Sequence, residues 1–157
     1  MEKTNVMRLL DAAKIPYGSY EYAASDGALS GVEVARQLGQ EEERVFKTLV
    51  TQAASGKYYV FVIPVGEELN LKKAASAVHE KKIEMIKSKE LLPLTGYIHG
   101  GCSPIGMKKP FPTVVDETAQ LWDTIIFSAG KIGYQVEVSP ENLGKMIPYT
   151  FADVTQG

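Results

Sequence analysis

Hydrophobic and polar positions follow two periods along this chain, and the two periods separate expected helices from expected strands. In residues 6–13 apolar side chains recur at i, i+3, i+4 and i+7, as on one face of a helix, with Thr4 or Asn5 placed to cap it and Pro16 to stop it. Residues 30–33 read Ser-Gly-Val-Glu, the S-x-x-E form of a capping box. The expected helices are residues 6–13, Ser30 to Gly39, residues 71–78 capped by Asn70, a short helix from Ser88 limited by Pro93, and Ser139 to near Pro148.

Strand-like segments begin after the acidic residues 41–43. Residues 45–50 and 57–63 are rich in β-branched and aromatic side chains, and residues 53–56, Ala-Ala-Ser-Gly, predict a hairpin between them. Further short strands are expected at 82–85, 96–98, 113–116, 124–127 and 134–138. Without an internal repeat, linker or low-complexity tract, the pattern predicts one α+β domain over residues 1–157 with a mixed β-sheet flanked by helices.

Composition narrows the class of protein. With 157 residues, 45% hydrophobic and 23% charged, the chain resembles an ordinary globular protein of one domain. No run of 18 apolar residues is available for a membrane span, and the first residues lack the apolar block of a secretory signal, so we expect no membrane and a cytoplasmic location. One cysteine and two histidines make neither an internal disulfide nor a convincing zinc site, and we expect no metal and no cofactor.

Charge is distributed unevenly along the chain. The net charge is -2, but residues 72–109 carry +5 from eight lysines and three glutamates, between flanks of -3 and -4. This stretch is either a surface for a polyanion or a solvated lysine-rich face.

Residues 97–110 form the least regular segment, Tyr-Ile-His-Gly-Gly-Cys-Ser-Pro-Ile-Gly-Met-Lys-Lys-Pro. Glycines let backbone N–H groups turn toward an anionic or carbonyl oxygen, prolines fix curvature, and Lys108 and Lys109 add positive charge. No G-x-x-x-x-G-K-[ST] pattern occurs, which argues against a nucleotide triphosphate loop. A purely structural turn is the alternative. A second glycine-bearing turn at 128–133 is either a hairpin or a wall of the same pocket.

Two single residues are candidates for chemistry. Lys47 interrupts an otherwise apolar or hydroxylic strand, and alternation puts it on one face with Val45 and Leu49. It is either a solvating residue at a sheet edge or a cation aimed into a pocket. Cys102 has His99 three residues away, but no thiol-enzyme signature surrounds it, so packing is favoured over a nucleophilic role.

Several segments together resemble the YbaK/EbsC family of Cys-tRNA(Pro) deacylases, relatives of the editing domain inserted in bacterial prolyl-tRNA synthetases. The resemblance covers nearly the whole chain. It is specific because the matching segments occur together and in the same order along the chain. The matching segments are Ile15-Pro16-Tyr17 with Tyr20, residues 33–39, Phe46-Lys47-Thr48-Leu49, residues 69–75, Gly96-Tyr97, residues 100–106, Lys108-Lys109 and residues 128–131.

The resemblance implies a curved, barrel-like mixed sheet and hydrolysis of the ester of a mischarged aminoacyl-tRNA. It assigns the essential role to Lys47 and catalytic backbone groups to Gly100 and Gly101. Thr48 is similar to cysteine-editing members, whereas alanine-editing relatives commonly carry Asn there. The residues it assigns to substrate binding are Tyr20, Thr48, Cys102, Ser103, Pro104, Ser128 and Gly130. Ala129 stands where some members have glycine.

The resemblance also implies a mechanism without an enzyme nucleophile, in which the substrate thiol attacks its own carbonyl and expels the tRNA as a thiolactone. The expected partners are the acceptor end of tRNA(Pro) and prolyl-tRNA synthetase, and the oligomeric state stays open. The alternatives are a non-catalytic module that binds an aminoacyl or nucleotide-like ligand, a deacylase for another mischarged tRNA such as Ala-tRNA(Pro), and a purely structural partner of a synthetase, which would need no pocket.

Overall fold

The computed structural model of the protein describes residues 2–24 and 29–157. Within these residues the α-helices are α1 (Asn5–Ala12), α2 (Gly31–Leu38), α3 (Leu71–Ala77), α4 (Ser88–Thr95) and α5 (Pro140–Met146). The strands are β1 (Gly18–Glu21), β2 (Phe46–Ala53), β3 (Tyr58–Pro64), β4 (Ile83–Met85), β5 (Thr113–Asp116), β6 (Ile125–Ser128), β7 (Tyr134–Val138) and β8 (Thr150–Ala152). Short 3₁₀ helices occur at Glu42–Arg44 and Glu117–Leu121.

The local helix signals are confirmed where side chains cap the ends. Thr4 accepts a hydrogen bond from the Met7 amide at the start of α1. Both bonds of the predicted capping box join Ser30 and Glu33 at α2, which satisfies amide groups that the helix itself leaves without partners. Ser139 caps α5 by accepting from the Asn142 amide.

Three predictions around α4 are wrong. Ser88 is the first residue of the helix and Lys87 its N-cap, with the Glu90 carboxylate accepting from the Lys87 amide. Pro93 lies inside the helix, which continues to Thr95. Residues 96–98 form no strand, because Gly96 adopts the left-handed conformation (φ +86°) that closes α4 and turns the chain into a loop.

The sheet is mixed, as predicted, but it is divided into two open sheets and does not close into a barrel. The larger sheet has the order β4-β2-β3-β5-β8, with β2 antiparallel to its neighbours and the β3, β5 and β8 pairings parallel. The smaller sheet, β1-β7-β6, is antiparallel. An isolated parallel bridge between Val45 and Ile126 joins the two sheets. The overall class, α+β with helices on the sheet faces, is confirmed.

Side-chain alternation along β3 divides the core. Val60 and Val62 belong to the main cluster, which includes residues of both sheets and of α1. Phe61 and Ile63 belong to a second cluster, packed against α3. Because β3 is covered on both faces, its sequence is a continuous apolar run. In the part of the chain that the structure describes, no helix has the length and apolar character needed to cross a membrane.

Candidate active site

A gap along the outer edge of β2 creates the site. Val45 pairs with Val65 on the β3 side, its carbonyl accepting from the Val65 amide, and with Ile126 on the opposite side. Strand β4 takes over that opposite side only from Thr51 onward. Among the described residues no strand therefore covers this edge of β2 between the two pairings, and residues 46–49 line a cavity of about 300 Å³.

Lys47 and Thr48 both line this cavity. Alternation along a strand sends neighbouring side chains to opposite faces, and in the interior of a sheet they would not meet. Both residues border the cavity because it lies along the uncovered edge of β2. Val45 and Leu49 line the cavity as well, so the sequence expectation of a lysine between two apolar wall residues agrees with the geometry.

The smaller sheet supplies the opposite wall through one row of residues. Tyr20 on β1 lies opposite Gln135 on β7, and Gln135 lies opposite Ser128 on β6. Residues opposite one another in antiparallel strands share a face of the sheet, so all three side chains lie on the same face. Gln135 and Ser128 line the cavity, while the Tyr20 hydroxyl donates to Glu137 beside it.

Hydrogen bonds fix the shape of the loop that closes the site. The Lys108 amide donates to the Thr95 carbonyl at 3.0 Å and the Gly101 amide to the Ile98 carbonyl at 3.0 Å. The Tyr97 hydroxyl donates to the Ile105 carbonyl. With residues 101–105 buried, this loop is held in one conformation and can present backbone groups without reorganisation.

The backbone amides of this loop differ in availability. The Gly101 amide is used within the loop, so Gly101 is not suited to bind a substrate oxygen. The Gly100 and Cys102 amides donate to no other described residue, and both residues line the cavity. Gly100 has φ +88°, a left-handed conformation that strains any residue with a Cβ. The geometry therefore favours Gly100 and Cys102 as donors toward a developing oxyanion.

Lys47 is half-buried, and in the described part of the chain it forms no hydrogen bond or ion pair. Burial lowers the pKa of its ammonium from the ordinary value of 10.5, partly opposed by the negative charges of Glu68 and Glu67. A partly desolvated cation whose donors are free is suited to bind the oxygens of a ligand in the cavity.

Cys102 is 8% exposed and belongs to the main core cluster. Burial raises the pKa of its thiol to about 12. Because the thiolate is the nucleophilic form, this cysteine is poorly suited to attack. His99 also lines the cavity, on its exposed side.

Five expected site residues lie outside the cavity lining. Tyr20 stands in the row described above, and Gly101 packs so closely that a Cβ would lie 3.2 Å from the Ile132 amide nitrogen. Ser103 is fully buried, and its hydroxyl accepts from the Ile105 amide. Pro104 faces a different cavity. Gly130 is a turn residue whose amide donates to the Ser128 hydroxyl.

Sequence reasoning missed several residues of the wall. Gln135 is the most informative, because it is 6% exposed and the oxygen of its side-chain amide accepts a 2.8 Å hydrogen bond from the Gln40 side chain. The sequence feature that could have identified Gln135 is a polar side chain between apolar neighbours on a strand, the feature that identified Lys47. Tyr22 and the start of α2 also line the cavity, and no local pattern indicates this.

No group of three or more histidine, cysteine, aspartate or glutamate side chains is close enough to hold a metal ion within residues 2–24 and 29–157.

Residues 26–146 match the family model of the aminoacyl-tRNA editing domain. The chain is 50% identical over 154 residues to EbsC of Enterococcus faecalis, a proposed Cys-tRNA(Pro)/Cys-tRNA(Cys) deacylase, with 98% of this chain and 94% of the relative covered.

Two solved structures share the fold. One, described as a proposed trans-editing enzyme for prolyl tRNA synthetase, has a TM-score of 0.83 at 23% identity and covers 99% of this chain and 100% of its own. The other, a hypothetical protein APE2540, has a TM-score of 0.86 at 23% identity and covers 98% and 100%.

Proposed function

Because this chain belongs to the aminoacyl-tRNA editing domain family, we propose that it is a hydrolase that removes cysteine from mischarged tRNA(Pro). The observation that carries the proposal is the meeting of Lys47 with the Gly100 and Cys102 amides around one cavity of about 300 Å³. That volume is at the small end of ligand sites, about 300–1,000 Å³, and suits an aminoacyl group better than a polymer.

In this proposal Lys47 binds oxygens of the aminoacyl group or of the terminal ribose, and the two loop amides hold the ester carbonyl oxygen as it becomes negative. Both contributions act by position and charge. An aminoacyl ester is labile, so these contributions suffice without a nucleophile from the protein. The raised pKa of the Cys102 thiol, about 12, supports this division of roles.

The nucleophile in this proposal is the substrate's own thiol. Its sulfur forms a bond to the ester carbonyl carbon, the C–O bond to the ribose breaks, and the ribose oxygen leaves with the proton that the thiol gives up. The product is a four-membered thiolactone, which water then opens to free cysteine. This route distinguishes cysteine from serine and alanine chemically, whereas a pocket alone separates near-isosteres poorly.

Selection of the tRNA is proposed to come from prolyl-tRNA synthetase. Residues 72–109 carry eight lysines against three glutamates, enough to contact phosphates but with no means of reading sequence. The protein alone is therefore expected to treat Cys-tRNA(Pro) and Cys-tRNA(Cys) alike.

The decisive experiment is deacylation of Cys-, Ser-, Ala- and S-methyl-Cys-tRNA(Pro), each with and without the synthetase. We expect rapid release of cysteine, slow release of serine and alanine, and no turnover of the S-methyl substrate. A thiol trap should capture the thiolactone under conditions that capture an authentic standard.

Each other outcome overturns one part of the proposal. Rapid hydrolysis of S-methyl-Cys-tRNA(Pro) would identify water as the nucleophile. Faster release of alanine than of cysteine would reassign the substrate. Saturable binding of Cys-tRNA(Pro) with no release of any amino acid would favour the non-catalytic binding module.

A further inference from the structure

The loop that closes the cavity of Lys47 also walls a second, larger cavity. Gly100 and Cys102 line the first cavity, whereas Pro104 and Gly106 line the second, which has a volume of about 750 Å³. Two residues of chain span at most about 7 Å, so the walls of the two cavities approach each other at this loop. We call the second cavity the aromatic groove.

Half-buried aromatic rings and a lysine characterise the aromatic groove. Phe111 and Tyr149 line it, together with Met107 and Met146, and the exposed Lys109 stands at its rim. Among the described residues that line it, none carries a carboxylate. Lys108 and Lys145, both exposed, are chain neighbours of lining residues. The groove therefore complements a ligand that is both anionic and flat.

The rings are held in fixed orientations. Phe111 packs against Tyr58 with ring centroids 5.5 Å apart, and Tyr149 packs edge-to-face against Phe151 at 5.0 Å. The Tyr149 hydroxyl donates to the Pro140 carbonyl at 2.6 Å. A ring whose position is already fixed loses little conformational freedom when a planar group stacks on it.

We propose that the aromatic groove binds nucleobases of the single-stranded 3′ end of the tRNA substrate, stacked on Phe111 and Tyr149, with Lys109 contacting a backbone phosphate. Stacking platforms next to cations are the general means of binding single strands without reading sequence. The inference rests on the proposed deacylase function, because it takes the RNA next to the aminoacyl group as the occupant.

The test uses the full chain in two assays. The first is fluorescence anisotropy of a labelled ten-nucleotide RNA ending in CCA, which needs no chemistry. The second is steady-state deacylation of Cys-tRNA(Pro). Phe111→Leu removes the planar face, and Phe111→Tyr is the matched control that keeps it. Lys14→Gln, at an exposed lysine outside residues 72–109, is the control for Lys109→Gln.

We expect Phe111→Leu to weaken RNA binding by about tenfold and to raise KM similarly with kcat unchanged, while Phe111→Tyr behaves like the parent. Lys109→Gln should lower the slope of log Kd against log salt by about 0.7, and Lys14→Gln should not. Thermal unfolding checks the Phe111 variants, and the exposed Lys109 provides a test that does not depend on them.

The inference would be overturned if the parent does not bind the RNA, or if Phe111→Leu and Lys109→Gln bind it with affinities within twofold of the parent. Effects of these variants that occur only when the synthetase is present would also overturn it, because they would make a protein segment the occupant of the groove. Absence of deacylation by the parent would refute the proposed function, while the anisotropy assay would still report on the groove.

Discussion

Replacement of Lys47 by methionine tests the candidate active site most directly. Methionine keeps an unbranched side chain of similar length on β2 and removes the ammonium that lines the cavity. Lys57→Met is the matched control, because Lys57 is exposed at the turn between β2 and β3.

The expected loss of activity follows from the surroundings of the ammonium. It is half-buried, burial lowers its pKa, and no described residue accepts its hydrogen bonds, so its interactions are available to the substrate. Removing one preorganised donor from such a site costs about 3 kcal/mol of transition-state stabilisation, a rate loss of about 150-fold. Single-turnover deacylation of Cys-tRNA(Pro) should show this loss for Lys47→Met and not for Lys57→Met.

Stability should change in the opposite direction. The pKa of Lys47 in the folded protein is below its ordinary value of 10.5, so between those two values the unfolded chain binds more protons. The folded parent is penalised at pH 7 and the penalty disappears as pH rises toward 10.5. Lys47→Met should therefore unfold at higher denaturant concentration than the parent at pH 7, with a difference that shrinks toward pH 10.5.

Two results would refute this reasoning. Turnover of Lys47→Met within about threefold of the parent corresponds to less than about 1 kcal/mol and would remove Lys47 from the chemistry. A denaturant midpoint for Lys47→Met below that of the parent, with a difference independent of pH, would show that the ammonium is paired in the folded protein.

Further predictions concern the loop. Cys102→Ala should keep turnover within about threefold of the parent. The parent thiol should react slowly with iodoacetamide at pH 8, because with a pKa of about 12 only about one thiol in ten thousand is ionised there. A hundredfold loss of turnover in a folded Cys102→Ala variant would restore covalent catalysis. Gly101→Ala should lower both the melting temperature and turnover, because its Cβ would lie 3.2 Å from the Ile132 amide nitrogen. Gly144→Ala is the control, because its Cβ would make an ordinary 3.6 Å contact with Tyr149; it should leave turnover unchanged and leave the melting temperature unchanged or raise it. Equal behaviour of Gly101→Ala and Gly144→Ala would contradict the close approach of the loops at Gly101.

The features that sequence determined are those set by neighbours along the chain. The capping box of Ser30 and Glu33 and the cap at Ser139 act over three residues, so their pattern was sufficient to locate α2 and α5. The alternation that put Lys47 with Val45 and Leu49 is equally local, and all three line the cavity. A strand at 96–98 was predicted wrongly because a short apolar run does not reveal whether a partner strand is available to it.

Tertiary structure decided how these local elements became a site. The gap beside β2 exists because β6 pairs at Val45 and β4 pairs only from Thr51, and strand pairing depends on segments far apart in sequence. The same register placed Gln135 between Tyr20 and Ser128, residues separated by more than a hundred positions. In the folded loop the Gly101 amide is bonded to a loop carbonyl, whereas Gly100 lines the cavity and its amide donates to no other described residue. Sequence cannot distinguish these two adjacent glycines, because the difference depends on which carbonyl the folded loop brings within hydrogen-bond distance.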